Sequence, residues 1–302
     1  TRTGVFRSTN AGASWTKVLD ATAVNGCMDL AIQYYQEDNQ NYVFASCGTF
    51  AQATVWRALD VDQGQTWEPV LREVDMGRTS LAIAPSNPKV IYALASFYHL
   101  PAAHAKDYAM RAVYRSTESG AAGTWEARVD YQDATTLNTL QLTNPVYAFL
   151  GDCGFGEENL PIYTQGWYDN QIAVDPKDEN VVWTAGIDLM RSDDGGRNWG
   201  VASYWWFGDG DPNYAHADNH AITFHPKYNG ASNRQMFVAS DGGVFRTNDA
   251  RAAVGTTLAS VCGDPVQGQV QWTSLNNGYQ VTQFYHGAVF PDSSTFFGGT
   301  QD

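Results

Sequence analysis

Two histidines and an aspartate alternate along one short segment, as His216, Asp218 and His220. Alternate side chains of an extended strand lie on one face, so these three could converge. Two imidazoles and a carboxylate can ligate a divalent metal together with further partners, or can transfer protons. Asp209 and Asp211 lie just upstream and offer oxygen ligands better suited to calcium. The alternative, which we favour, is a hydrogen-bonded polar lining that needs no cofactor.

A pair of carboxylates is the candidate catalytic machinery. Asp169 and Asp218 begin comparable strands in successive repeats of the chain. A glycoside hydrolase needs two carboxylates facing a cleft, roughly 5 to 10 Å apart according to its mechanism. Sequence signatures of other chemistries, such as Gly-x-Ser-x-Gly, His-Glu-x-x-His and the phosphate-binding loop, are not found in the chain. If the chain is an enzyme, we therefore expect a glycoside hydrolase.

Aromatic residues accompany these acids in three long insertions, at about 96–111, 130–166 and 202–216. Aromatic side chains suit the C–H faces of sugar rings, while neighbouring acids suit their hydroxyl groups. The other interpretation is that the rings hold long loops in place or pack between sheets. The candidate ligand-binding residues are Trp167, Tyr168, Trp205, Trp206 and Tyr214.

A repeat supplies the elements that must position these residues. An arginine is followed by a small residue, an acid or amide, a glycine and a tryptophan, and this pattern occurs five times. It matches the Asp box, Ser-x-Asp-x-Gly-x-x-Trp, in which the acid accepts backbone N–H bonds and the glycine takes a positive φ. We interpret the repeat residues as structural: Ser8, Asn10, Trp15, Asp60, Trp67, Ser116, Trp125, Ser192, Asp194, Gly196 and Trp199.

Two apolar segments separated by a polar turn precede each box, as in 80–85 followed by 90–94. Together with the segment before the box and the segment after the tryptophan, they predict a four-stranded blade. The fold class is therefore all-β, a β-propeller with four complete blades and two half-blades. We expect half-blades at 1–20 and 281–302, and blades at about 24–75, 78–131, 166–202 (after an insertion at 132–165) and 216–275. Residues 1–302 form one propeller unit or a segment of a larger one, and we favour the segment.

Composition narrows the partners. The chain has 18 Lys and Arg against 32 Asp and Glu, a formal charge of −14, which disfavours nucleic acid as a partner. No apolar stretch approaches the roughly 18 residues that span a bilayer. Cys27 and Cys47 flank a hairpin and are predicted to form a disulfide, which would require an oxidising compartment. Cys153 and Cys262 are expected in loops on opposite faces and are not predicted to pair.

Several segments, together with the boxes, resemble the secreted bacterial BNR-repeat propellers, which are related in fold to the sortilin ectodomain and often called glycosyl-hydrolase-like. These are 165–169, 216–220, 240–246 and 282–285. The resemblance implies an extracellular or cell-surface propeller. Our first functional hypothesis is a non-catalytic binding or scaffold propeller that recognises a polysaccharide or a protein through its aromatic loops. The alternatives are an endo-acting glycoside hydrolase and a structural subunit of a surface layer or filament.

Overall fold

The computed structural model describes residues 3–34, 41–59, 66–98, 108–145, 153, 164–263, 268–278, 284–289 and 296–300. Its regular structure consists almost entirely of antiparallel strands. The short alternating apolar segments and the Gly-rich turns of the sequence favour such strands over helices. Helical turns within the described residues are short, at Thr22–Val24, Thr136–Thr139, Trp205–Phe207 and Leu258–Val261. None of the described helices is long and apolar enough to cross a membrane.

Four sheets have four strands each, and every sheet is ordered as its strands follow in the chain. The first contains β3 (Cys27–Gln33), β4 (Tyr42–Cys47), β5 (Thr54–Leu59) and β6 (Trp67–Leu71). The second contains β7 (Met76–Ile83), β8 (Ile91–Phe97), β9 (Met110–Ser116) and β10 (Glu126–Asp130). The third contains β11 (Gln171–Val174), β12 (Val182–Ala185), β13 (Leu189–Ser192) and β14 (Gly200–Val201). The fourth contains β15 (Asn219–Phe224), β16 (Met236–Ser240), β17 (Gly243–Thr247) and β18 (Thr273–Ser274).

Two hairpins complete the described sheets. They are β1 (Gly4–Arg7) with β2 (Thr16–Asp20), and β19 (Phe284–Val289) with β20 (Phe296–Thr300). The first strands of the four large sheets, β3, β7, β11 and β15, contact one another in chain order. They therefore form the inner wall, as the innermost strands of propeller blades do. The predicted all-β propeller, with four complete blades and two half-blades, is confirmed.

The hydrophobic core lies between neighbouring blades. One cluster joins Phe44 and Val55 of the first blade to Met76 and Ile91 of the second. Another cluster joins the third and fourth blades through Trp183 and other buried apolar side chains. A third cluster lies between the second and third blades. Where neighbouring blades cover both faces, as at β8 and β12, the strand is buried along its whole length. The inner strands β3 and β15 instead alternate between more and less exposed residues.

The turns of the repeat share one hydrogen-bonding scheme. In the clearest copy, Ser192 Oγ accepts the Gly196 N–H at 2.9 Å, Asp194 Oδ1 accepts the Asn198 N–H at 2.9 Å, and Trp199 Nε1 donates to Gly196 O at 3.0 Å. Gly196 has φ +89°, a backbone conformation that favours glycine.

Other copies of the turn reproduce parts of this scheme. Trp15 donates to Gly12 O at 3.1 Å, and Trp125 donates to Gly120 O at 3.2 Å. Ser8 and Asn10 accept backbone N–H groups within the first turn, and Ser116 accepts one in its own turn. Trp67 begins β6, whereas Asp60 lies outside the described residues.

In three of the repeats, the arginine that precedes the turn reaches across to the next blade. Arg57 Nη1 donates to Ser119 O at 2.8 Å, and Arg115 Nη2 donates to Asn180 Oδ1 at 3.2 Å. Arg191 Nη1 in the third blade donates to Ala250 O at 2.9 Å in the fourth. We call Arg57, Arg115 and Arg191 the repeat arginines. They therefore hold successive blades together in addition to the apolar clusters.

The structure contains two disulfides among the described cysteines. The predicted bond is present, with Cys27 and Cys47 directly opposite each other on β3 and β4. The expectation that Cys153 and Cys262 would not pair is wrong, because they are also bonded.

The two insertions that carry this second disulfide do not lie apart. Leu137, Leu140 and Leu142 of one insertion and Val261 of the other belong to the same hydrophobic cluster. Burial of these apolar side chains in a common core brings the two insertions together, although their places in the repeat put them on opposite faces.

Candidate functional site

A tight turn before β11 positions the central residues of the site. Gln165 O accepts the N–H groups of Tyr168 at 2.7 Å and Asp169 at 3.0 Å, and this fixes the turn. Gly166 N donates to Tyr108 O at 2.9 Å, and a Cβ at Gly166 would lie 2.4 Å from that oxygen. The close backbone approach therefore requires glycine. Arg78 Nη1 donates to Trp167 O at 2.9 Å and attaches the turn to the second blade.

Four aromatic side chains meet beside this turn, and we call Phe50, Tyr108, Trp167 and Tyr168 the aromatic face. The ring centroids of Phe50 and Tyr108 are 6.1 Å apart, as are those of Phe50 and Trp167. Trp167 and Tyr168 are separated by 5.5 Å. Phe50 is 54% exposed and Trp167 is 41% exposed, although both are large and apolar. A contiguous patch of exposed aromatic side chains is a candidate interaction surface.

A polar group continues the aromatic face towards β15 and β16. The His220 ring meets the Tyr168 ring edge-on at 4.7 Å, and His220 Nε2 lies 2.8 Å from Asp241 Oδ1. The Tyr168 hydroxyl donates to both oxygens of Asp241, at 3.2 and 3.3 Å. The Asp241 carboxylate thus accepts hydrogen bonds from two side chains and is still exposed.

Asp169 and Asp218 lie together beneath this polar group. Asp169 is completely buried, and its carboxyl group is in hydrogen-bonding contact with that of Asp218. Gln165 connects them, because its backbone oxygen accepts from Asp169 N while its Nε2 donates to Asp218 Oδ1 at 3.0 Å. Asp218 has φ +61°, a left-handed conformation that is uncommon for a residue other than glycine.

The electrostatic environment favours the neutral forms of these carboxyl groups. Burial raises the pKa of Asp169 to about 9, and the negative charge of Asp218 adds to the effect. Burial and the nearby charge of Asp241 also raise the pKa of Asp218. Burial raises the pKa of Asp188, which lies close enough for Asp218 to contribute. Burial lowers the pKa of Arg78, against the influence of Asp169.

The structure thus brings together four of the residues that the sequence singled out: Trp167, Tyr168, Asp169 and Asp218 lie in one site, with His220 at its edge. Sequence reasoning did not assign roles to Phe50, Tyr108, Arg78 and Asp241. Asp241 follows Ser240, which pairs with Asn219, so the register of β15 and β16 places it next to Asp218. The pairing of these two strands, which their alternating sequence pattern predicts, would have been enough to place Asp241 next to Asp218.

The remaining predicted ligand-binding aromatics lie elsewhere. Trp206 packs against the cluster between the second and third blades, and its ring lies 5.1 Å from that of the fully buried Tyr204. Trp205 contacts Trp206 edge-on at 6.3 Å. Tyr214 packs against Phe245 of the fourth blade. These contacts are those of rings that hold a loop against the core.

The histidine–aspartate segment has partners other than a metal. His216 Nδ1 bonds to Ala217 O at 2.9 Å, and its ring lies against Gly242, where a Cβ would be 2.1 Å from it. Asp211, proposed as a calcium ligand, accepts the Asn213 N–H at 2.8 Å. In the part of the chain that the structure describes, no group of three or more His, Cys, Asp or Glu side chains is arranged to hold a metal ion.

The fold is similar to that of a GH74 xyloglucanase from Xanthomonas campestris, with a TM-score of 0.51 and 14% identity over 82% of this chain and 33% of that chain. A GH74 enzyme from Niastella koreensis has a TM-score of 0.48 at 16% identity, over 89% of this chain and 32% of its own. YCF48 bound to a D1 peptide has a TM-score of 0.40 at 13% identity, over 88% and 58%.

This chain therefore spans about a third of the length of the two GH74 neighbours. At these identities the similarity shows the β-propeller fold alone. No protein-family model and no curated protein sequence matches the chain.

Proposed function

We propose that this chain is an extracellular, non-catalytic propeller that binds polysaccharide through the aromatic face. The observation that carries the proposal is the exposure of Phe50 and Trp167, 54% and 41%, beside a polar group formed by Tyr168, His220 and Asp241. Sugar rings present apolar C–H faces bordered by hydroxyl groups. Exposed rings next to an exposed carboxylate are complementary to that pattern.

The carboxyl geometry favours binding over hydrolysis. Asp169 is fully buried and touches Asp218, whereas the two carboxyl groups of glycosidases are roughly 5 to 10 Å apart. That separation leaves room for a sugar carbon or a water molecule between them. A pair in mutual contact leaves no such room. We therefore assign Asp169 and Asp218 to the support of the site rather than to catalysis.

The extracellular location is supported by the cysteines. Both described disulfides require an oxidising environment to persist, and the excess of acidic residues suits a soluble surface domain. We further propose that the repeat turns are Asp boxes and that the chain is a BNR-type, sortilin-like propeller. The hydrogen bonds around Ser192, Asp194 and Trp199 support this assignment.

A glycan-array screen with product analysis tests the proposal. We expect the purified protein to bind at least one polysaccharide without shortening it, and Trp167→Ala to reduce that binding at least about tenfold, because about 1.4 kcal/mol corresponds to a factor of ten in affinity. Trp15→Ala is the matched control, since Trp15 is also exposed, at 61%, but lies in the turn of the first hairpin. Binding that Trp167→Ala leaves unchanged would refute the assignment of the site.

The same screen separates the other functions. Shortened products that disappear in Asp169→Asn or Asp218→Asn would establish a glycoside hydrolase and overturn the non-catalytic assignment. An absence of binding to every glycan would also overturn it, and would direct attention to a protein partner or to a structural role at the cell surface.

A further inference from the structure

Three rings of the aromatic face lie close together without stacking. The ring centroids of Phe50, Tyr108 and Trp167 form a nearly equilateral triangle, with sides of 6.1, 6.1 and 6.4 Å. Their planes are inclined to one another by 88°, 42° and 63°. The π face of an aromatic ring is negative, and a cation within roughly 6 Å of its centroid is attracted to it. A single cationic group on this face can therefore lie within that range of more than one ring.

An accessible carboxylate borders the same rings. Asp241 bonds to His220 Nε2 and to the Tyr168 hydroxyl, and among the described residues neither a lysine nor an arginine forms an ion pair with it. Its side chain remains 37% exposed. Tyr168 connects this carboxylate to the rings, since its own ring lies 5.5 Å from that of Trp167. A cation on the aromatic face is therefore offered both aromatic π faces and an exposed negative charge.

The surrounding charges also favour a cationic ligand. Arg78, the arginine attached to this turn, donates to the backbone oxygens of Trp167 and Tyr168 and is therefore engaged within the protein. Asp218 adds a further carboxyl group next to Asp241. The chain as a whole has a formal charge of −14. An acidic polysaccharide would thus be repelled from the aromatic face, whereas an ammonium group would be attracted to it.

We propose that the polysaccharide bound by the aromatic face carries protonated amino groups, as a polymer of glucosamine does; this inference rests on the proposed function. The C–H face of the sugar lies on Trp167 and Phe50, and the ammonium group donates to Asp241. An ammonium group supplies three N–H donors, so it can bond to the carboxylate while its charge interacts with the rings. N-acetylation removes that charge, and a uronic acid reverses it. The amino group is therefore the feature by which the site selects its ligand.

Two sugar hexamers with the same β-linked backbone test the inference. One consists of fully N-acetylated glucosamine, and the other is its deacetylated form, which is cationic in slightly acidic buffer. In isothermal titration calorimetry, we expect the deacetylated hexamer to bind the wild-type protein at least about tenfold more tightly, a difference of about 1.4 kcal/mol. Asp241→Asn should abolish that preference, because the amide has no negative charge. Added salt should weaken the preference of the wild-type protein, because it screens exposed charges.

Two control variants separate the local carboxylate from the net charge. Asp209→Asn removes an exposed carboxylate that is not part of the aromatic face and changes the net charge by the same amount as Asp241→Asn, so the preference should remain. His220→Gln should also keep the preference, because it leaves the Asp241 carboxylate in place. Near-UV circular dichroism checks that each variant is folded.

The outcomes distinguish this inference from the proposed function. Equal or tighter binding of the N-acetylated hexamer, lost in Trp167→Ala, would overturn the inference and still support polysaccharide binding by the aromatic face. A preference that Asp241→Asn retains, or that either control variant removes, would overturn the inference as well. So would a folded wild-type protein that does not bind the deacetylated hexamer, whereas an absence of binding to every glycan overturns the proposed function itself.

Discussion

An ion pair buried between the third and fourth blades offers the sharpest test of how the blades are held together. Asp175, just after β11, is fully buried and receives Arg251 Nε and Nη2, each at 2.8 Å. The Tyr228 hydroxyl donates to the same carboxylate, and Lys177 N donates at 2.7 Å. Arg251 and Tyr228 belong to the fourth blade, so the carboxylate of one blade is bound by two side chains of the next.

Removing either charge should destabilise the protein. Arg251→Met leaves a buried carboxylate without a countercharge, and we expect a loss of about 3 kcal/mol, since breaking a buried pair costs roughly 3–5 kcal/mol. Asp175→Asn should cost less, about 2 kcal/mol, because Arg251 is 26% exposed and can be hydrated. The double variant should lose less than the sum of the two, with a coupling energy of about 1.5 kcal/mol or more.

The predicted pH dependence has a definite sign. Burial raises the pKa of Asp175, but hydrogen bonds from Arg251 and Tyr228 outweigh that effect and hold the pKa below its usual value. A carboxyl group with a lowered folded-state pKa contributes stability above its unfolded pKa of about 3.9 and loses it as pH falls through the lower value. The difference between wild type and Asp175→Asn should therefore be constant from pH 5 to 8 and should shrink below about pH 4.

Urea unfolding followed by tryptophan fluorescence measures these differences. Arg234→Met is the matched control, because Arg234 pairs with Asp249 at 3.2 Å but both side chains are more than a third exposed. Such an exposed pair should contribute no more than about 1 kcal/mol. A coupling energy between Asp175 and Arg251 below about 0.5 kcal/mol, or an Arg251→Met variant as stable as Arg234→Met, would refute the reasoning.

Further predictions concern the second disulfide and the repeat turn. Replacing Cys153 and Cys262 by serine should lower the free energy of unfolding by about 3–5 kcal/mol, because the bond closes a loop across 109 residues. An unchanged urea midpoint for the double serine variant would contradict this. Asp194→Ala should cost about 1–2 kcal/mol, since two backbone N–H groups, at 2.9 and 3.0 Å, lose their acceptor. Thermal unfolding measures the change, and a Tm equal to that of the wild type would contradict it.

The fold was predictable from the sequence because its signals are local. Apolar segments such as 80–85 and 90–94 lie next to each other in the chain and pair as β7 and β8. The repeat turn is likewise contained in nine residues or so, from Arg191 to Trp199. Such patterns are read from neighbouring residues and need no knowledge of distant contacts. The pairing of Cys153 with Cys262 depends on how two long insertions pack, and short-range patterns do not carry that information.

The site was only partly predictable for the same reason. Trp167, Tyr168 and Asp169 are consecutive and precede a recognisable strand, so their shared location follows from the sequence. Phe50 and Tyr108 come from the loops of other blades and join them only in three dimensions. By residue type alone, Trp206 was as good a candidate for ligand binding as Trp167. It packs against the core instead, and that outcome depends on the path of its loop. Composition identifies an aromatic loop and leaves open which of its faces meets solvent.

The repeat arginines all donate in the same direction around the described blades, from each blade to its successor. The blades are therefore not interchangeable units. A single blade moved into another protein would carry a guanidinium without its acceptor and leave behind a carbonyl without its donor. In a nearest-neighbour description of repeat proteins, much of the stability comes from the interfaces between adjacent blades rather than from each blade alone. Duplication, deletion or grafting of such a chain should therefore be best tolerated when adjacent blades move together with the junction between them.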